Sequence, residues 1–323
     1  MRRCYIMRLL ILLLYWSCNI VVCTEAIEEE LASPLTGLRM SCRSDVAKLK
    51  TANIETILLG RVFNGAHAVI DRRWLVVSYN ARSTAPVGSK CVTEHSVHFE
   101  VIDCHSKLLH QTEVAVLLPS STKRVCQNER NFRSNGPEDA RLLPFGKKSL
   151  VAFFNDFRRA DDDQAKNWTR AQYLVHLTRS DENQFTRTPS IPIFLESLGR
   201  LEKNWAPFSM NSRLFVQRYL LDDNLKTVTL EIDDHTATVR NSFSSDSRWL
   251  RAHLNGTHIS GGTNAVQMNE THYLAIGHTR KGEKPRIYRM FAYLFSSNPP
   301  FKITAITNEF NLRTTRPQRL HPD

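Results

Sequence analysis

Glycine and proline are scarce in this chain, at 12 and 13 of 323 residues, and no long low-complexity run interrupts it. That excludes a collagen-like or disordered polymer and leaves length for one large domain or two ordinary ones. No C-x-x-C pair occurs among the seven cysteines, so their spacing does not make a zinc site. His95, His98 and His105 fall in segments of strand or loop character, and neither a metal nor another cofactor is expected. Helical periodicity is scarce after residue 50. The net charge is +11, which invites a polyanion partner, yet no basic helix and no basic–aromatic ladder carries it.

What the chain does have begins at its N-terminus. Arg2, Arg3 and Arg8 lead an apolar stretch from Leu9 to Cys23, broken by Ser17 and Asn19. This is the charged and apolar pattern of a secretory leader, shorter than the roughly 20 residues of a spanning helix. Val21 and Cys23 suit the positions before a cleavage site. Residues 1–23 therefore read as a signal peptide or an uncleaved signal anchor, and 24–50 as a stem.

Three sequons agree with that leader: Asn167-Trp-Thr, Asn255-Gly-Thr and Asn269-Glu-Thr. The expected compartment is the secretory pathway, either the Golgi lumen behind a type II anchor or the exterior. Cys42, Cys91, Cys104 and Cys126 lie beyond the leader and allow two disulfides in three pairings. Three of the positive charges belong to the leader, and Arg313, Arg316 and Arg319 sit in a tail at 313–323. A lumenal chain rarely meets DNA. Nucleic acid is not an expected partner, and membrane contact is expected only through an uncleaved anchor.

Between residues 51 and 312 short β-branched and aromatic runs recur between turn signals. Four polar anchors share one layout: Phe63-Asn64-Gly65-Ala66, Glu138-Asp139-Ala140-Arg141, Lys203-Asn204-Trp205-Ala206-Pro207 and Gly261-Gly262-Thr263-Asn264. Fifteen residues after Asn64, Asp139, Asn204 and Thr263 stand Tyr79, Phe154, Tyr219 and His278, each closing a strong strand. The unit is a hairpin with a polar motif near the start of its inner strand. Such hairpins at blade-like spacing suggest an all-β propeller, whose inner strands line a central funnel. Asp161-Asp162-Asp163 reads as a solvated loop, and Trp74, at a turn-to-strand position, as core.

The second, third and fourth anchors, with Tyr273-Leu274-Ala275-Ile276-Gly277-His278, resemble the five-bladed β-propeller glycosidase superfamily. Within it they look most like the β-mannoside phosphorylase-like group and its mannosyltransferase relatives. The segment Tyr288–Phe295 through Pro299-Pro300-Phe301-Lys302-Ile303 is similar to that group's closing segment. The resemblance implies five blades around a funnel-shaped sugar site, with Asn53–Leu59 and the strands around Phe301–Phe310 helping to close the ring. It makes Asp139 the general acid, with Ala140 where the motif has proline. It makes Asn64, Glu138, Arg141, Lys203, Asn204, Trp205, Thr263 and His278 substrate-binding candidates. An arginine of that group is missing; Asn80 stands there, with Arg82 nearby, which weakens the case for phosphate binding.

Breaking a glycosidic bond needs a proton donor for the leaving oxygen and a nucleophile at the anomeric carbon. Only one anchor carries an acid at its central position, Asp139; Glu138 and Glu202 are the nearest other carboxylates. One acid suits an inverting scheme, with phosphate, water or an acceptor sugar as nucleophile. Arg141, Lys203 and His278 are suited to hold a phosphate or sugar-phosphate. The expected function is a glycosyltransferase of the mannosyltransferase-like kind acting on an oligosaccharide or glycoconjugate. The alternatives are a hydrolase or phosphorylase of the same fold and a non-catalytic glycan-binding propeller. In the bland reading Asp139 and Arg141 are an ordinary ion pair, Lys203 is solvated and His278 is an interior histidine.

Overall fold

The structure, a computed structural model, describes residues 62–70, 74–84, 93–103, 111–117, 134–159, 168–180, 185–193, 195, 203–255, 258–282 and 287–311. The leader and stem, Asn53–Leu59, Cys42, Cys91, Cys104, Cys126, His105, Asp161–Asp163, Asn167 and the tail at 313–323 lie outside the described residues. No helix among the described residues is long and apolar enough to cross a membrane.

The described residues are all-β and form four sheets with antiparallel long strands, of the kind that form propeller blades. They fall into two compact units. The first unit holds β1 (Val62–Ile70), β2 (Trp74–Thr84), β3 (Thr93–Asp103) and β4 (Gln111–Leu117) as a meander, with β5 (Ser134–Asn135) parallel to β3. Its second sheet runs β6 (Glu138–Pro144), β7 (Ser149–Arg159), β8 (Trp168–Arg179). The outer strand of that sheet is in two pieces, β9 (Phe185–Arg187) and β10 (Ile191–Pro192), both paired with β8.

The second unit has a meander of β11 (Ala206–Met210), β12 (Arg213–Tyr219), β13 (Lys226–Ile232) and β14 (Val239–Asp246). After one helical turn, α1 (Leu250–His253), a split inner strand follows, β15 (His258–Gly261) and β16 (Val266–Asn269), both paired with β17 (His272–Lys281). β18 (Ile287–Ser296) and β19 (Ile303–Ile306) complete that sheet.

The expected fifth blade is not found among the described residues. The C-terminal strand expected to help close a ring is instead β19, the outer strand of the fourth sheet. Ile303 is buried there with Phe295 and Phe301, and a bridge between Met290 and Phe310 extends the same edge. Apolar content decides this, because pairing with β18 removes Ile303 from water.

Each unit has its own core. In the first, β1 packs on β6, and Ile70, Val76 and Phe99 of one sheet meet Leu142, Phe154 and Tyr173 of the other. Trp74 belongs to this core, edge-on to Phe185 at 6.0 Å, as its sequence position suggested. In the second, Phe208, Phe215, Tyr273, Phe291, Phe295 and Phe301 form an aromatic cluster.

The repeat register has a backbone cause. Phe63 faces Asn80 and Ala66 faces Ser78, so Asn64 and Gly65 together oppose Tyr79. The second sheet repeats this 75 residues on: Glu138 faces Asn155 and Arg141 faces Phe153, so Asp139 and Ala140 oppose Phe154. Both anchors are therefore β-bulges, two residues against one. Asp139 and Asn204 have φ of 59° and 60°. Asp and Asn are the side chains that tolerate this left-handed region best after glycine, which accounts for their recurrence there. The β11–β12 turn has the same chemistry, with Asn211 and Ser212 both at positive φ as a two-residue hairpin turn of the primed type requires.

In the fourth sheet the equal spacing has a different origin. His278 pairs with Ser260, and Thr263 is level with Ile276 instead, because the four residues Gly262–Ala265 oppose only Ala275 and Ile276.

Candidate functional site

The anchors make two clusters, one within each unit. In the first, alternation along β6 buries Glu138 and Ala140 and leaves Asp139 and Arg141 half-buried. The Arg141 guanidinium curls back on its own bulge, donating to the carbonyls of Asp139 at 3.3 Å and Ala140 at 3.0 Å. Burial lowers its pKa, and the Asp139 charge opposes that shift. Asp139 and Arg141 thus share the partly exposed side of the bulge.

Glu138 goes the other way. Its carboxylate takes Arg170 Nη1 at 2.7 Å and His95 Nδ1 at 3.2 Å, with Arg170 and His95 only 4% and 3% exposed. Asn155 completes the group. Its Nδ2 donates to the Glu138 carbonyl at 3.1 Å and to Asp139 Oδ2 at 3.4 Å, and its Oδ1 accepts from Arg170 Nη1 at 2.6 Å. Asn155, Arg170 and His95 were missed as site residues in the sequence. The one available signal was position, since Asn155 directly follows the Phe154 that opposes the bulge.

Around Asn64 the backbone bulge is described but its side chain is not, and the same holds for the Arg82 side chain. Asn80, at the position of the missing arginine, is fully buried. Nearby, Tyr79 donates to Glu100 at 2.6 Å and stacks on His98 at 5.2 Å.

In the second unit the third and fourth anchors meet. A Cβ on Gly261 would lie 2.6 Å from the Asn204 carbonyl oxygen and 3.4 Å from Ala206 Cβ, so only glycine allows β15 to approach the Asn204 bend. A Cβ on Gly262 would lie 2.9 Å from the Ile276 carbonyl oxygen and 3.7 Å from His278 Nδ1. Gly261→Ala is expected to force these strands apart at a cost of about 1–3 kcal/mol, measured by denaturant unfolding. An unchanged midpoint would show that the approach is slack.

Thr263 serves this join. Its hydroxyl donates to the Asn264 carbonyl at 2.9 Å and accepts the Ile276 amide at 3.0 Å, stitching the split inner strand to β17. Lys203 and His278 are half-buried, the latter tilted against Tyr288 at 5.7 Å. Trp205 is 2% exposed, so its indole packs inside and offers no open face to a sugar ring. Among the described residues no group of three or more His, Cys, Asp or Glu side chains is placed to hold a metal ion.

No protein-family model matches the chain, and no curated protein matches it in sequence. Solved structures do. An exo-1,5-α-L-arabinanase from a bovine ruminal metagenomic library is 10% identical with a TM-score of 0.42, over 77% of this chain and 79% of that one. A Bombyx mori β-fructofuranosidase is 10% identical with a TM-score of 0.43, over 76% of this chain and 49% of that one. A Streptococcus pneumoniae sialidase is 9% identical with a TM-score of 0.46, over 77% and 52%. This chain spans about half the length of the fructofuranosidase and sialidase chains.

Proposed function

We propose that the chain acts on an oligosaccharide or glycoconjugate, breaking a glycosidic bond with inversion and using Asp139 as the proton donor. The observation that supports this most is the contrast between two adjacent carboxylates. Glu138 is turned inward to Arg170 and His95, whereas Asp139 is half-buried on the side shared with Arg141. One partly exposed acid can protonate a leaving oxygen while the nucleophile comes from outside the protein. Because the adjacent Glu138 is committed to Arg170 and His95, the proton that an attacking water loses is released to solvent water.

Water is the nucleophile put first, because hydrolysis requires no donor or acceptor site beyond one glycoside. Transfer to an acceptor hydroxyl differs only in the nucleophile, and the Golgi placement that favoured it rests on residues 1–23. Phosphorolysis is not proposed, since Asn80 at the arginine position is fully buried. Passage through the secretory pathway is part of the proposal, with glycans on Asn255 and Asn269, both exposed.

The test begins with a panel of manno-oligosaccharides and other oligosaccharides, with the product anomer read by proton NMR. Asp139→Asn should lower kcat about 10²–10⁴-fold on these unactivated glycosides. The loss should be smaller on 4-nitrophenyl glycosides, whose leaving group needs no proton. Wild-type rates in Asp139→Asn, or retention of anomeric configuration, would overturn the proposal. A non-catalytic glycan-binding propeller is the second reading, favoured by Ala140 in place of the motif proline. Binding across the panel with no product would establish it.

A further inference from the structure

We infer that Asn155 is a positioning residue for Asp139, and that Arg170 sets which way its amide points. The inference rests on the reading of Asp139 as the proton donor. Asn155 is fully buried on β7, the strand facing the bulge, and it touches Asp139, the Glu138 carbonyl and Arg170.

The polarity of the amide follows from its neighbours. A guanidinium only donates, so the atom 2.6 Å from Arg170 Nη1 must be the oxygen. The NH2 group then faces the Glu138 carbonyl at 3.1 Å and Asp139 Oδ2 at 3.4 Å, both acceptors. A flipped amide would oppose like dipoles at every one of these contacts. Arg170 is in turn held by Glu138 at 2.7 Å, and Glu138 by His95 at 3.2 Å. A chain of contacts thus runs from the interior of the first unit to the carboxylate at the bulge.

Asn155 links this chain to Asp139 without lending it a charge. Arg170 is paired with Glu138, the Arg141 charge facing Asp139 is the same in every variant considered, and Asn155 itself presents an oriented neutral donor. That arrangement fixes the rotamer of the acid while leaving its proton available for transfer, as a pre-organised general acid requires.

Asn155→Asp separates positioning from mere packing. It keeps the size of the side chain and an acceptor for Arg170, but replaces the donor to Asp139 by a negative charge. A like charge at that distance favours the protonated acid. The alkaline limb of the pH–rate profile on the substrate found above should therefore move to higher pH by about one unit. A carbon-13 titration of the Asp139 carboxyl, assigned by its loss in Asp139→Asn, should show the same displacement with no substrate present.

If Asn155→Asp does not fold, Asn155→Ser serves. It is expected to lower kcat about tenfold or more with KM little changed, since a serine hydroxyl cannot span both contacts. Displacement of the carboxyl titration in a protein that turns over no glycan would uphold the coupling and sink the acid role instead. A folded Asn155→Asp whose carboxyl titration coincides with wild type would overturn the inference. So would Asn155→Ser with unchanged kcat.

Discussion

Arg170→Met should destabilise the chain by about 3–5 kcal/mol, the range for removing one partner of a buried ion pair. Arg170 Nη1 lies 2.7 Å from Glu138 Oε1, and the side chains are 5% and 11% exposed, so water cannot replace the lost contact. The Asn155 oxygen also loses the donor it accepts from at 2.6 Å. His95 remains beside Glu138, but one ring N–H compensates a carboxylate less than the fork of a guanidinium does. Urea denaturation followed by circular dichroism measures the loss. The double variant Glu138→Leu with Arg170→Met should recover much of it, because a hydrophobic pair of similar volume is often no worse than a buried ion pair. A loss below about 1 kcal/mol in Arg170→Met would mean that the pair is screened in solution.

Phe208→Ala should cost the second unit about 3–5 kcal/mol. The Phe208 ring is fully buried and sits among four others: Phe215 at 5.3 Å, Tyr273 at 5.1 Å, Phe295 at 5.1 Å and Phe301 at 5.4 Å. Truncation opens a cavity that this rigid cluster cannot refill, and it removes edge and stacking contacts worth about 0.5–1.5 kcal/mol per pair beyond burial. Phe208→Leu, which keeps most of the volume, should cost less than about 1.5 kcal/mol. Hydrogen exchange should accelerate in β11–β19 of the alanine variant. Equal losses in the two variants would show that shape at this position is unimportant.

The repeat was legible because its cause is local. A bulge opposite one residue of the next strand, closed by a short turn, imposes a constant count between Asn64 and Tyr79 and between Asp139 and Phe154. The left-handed φ at Asp139 and Asn204 restricts the residue types that repeat. The fourth anchor shows where counting misleads. Its spacing matches, yet extra residues between β15 and β16 put Thr263 opposite Ile276 and His278 opposite Ser260. Likewise the number of blades did not follow from the anchors, since β19 is drawn to β18 by its apolar content.

The sequence by itself determined the all-β class, the hairpin unit, and the place of Asp139 and Arg141 at the opening of the first strand of a sheet. These depend on period, turn chemistry and backbone conformation, all of which act over a few residues. Only the tertiary structure decided what the neighbouring polar groups do. Glu138 reads as a second acid of the motif, but it is paired with His95, 43 residues away on β3, and with Arg170 on β8. Trp205, a substrate-binding candidate in the sequence, is buried. A charge or an aromatic face is committed by whatever the packing brings against it, and those partners come from strands far apart in the chain. The alternation along β6 leaves Asp139 half-buried, whereas long-range packing turns Glu138 inward and sets Asn155 between them.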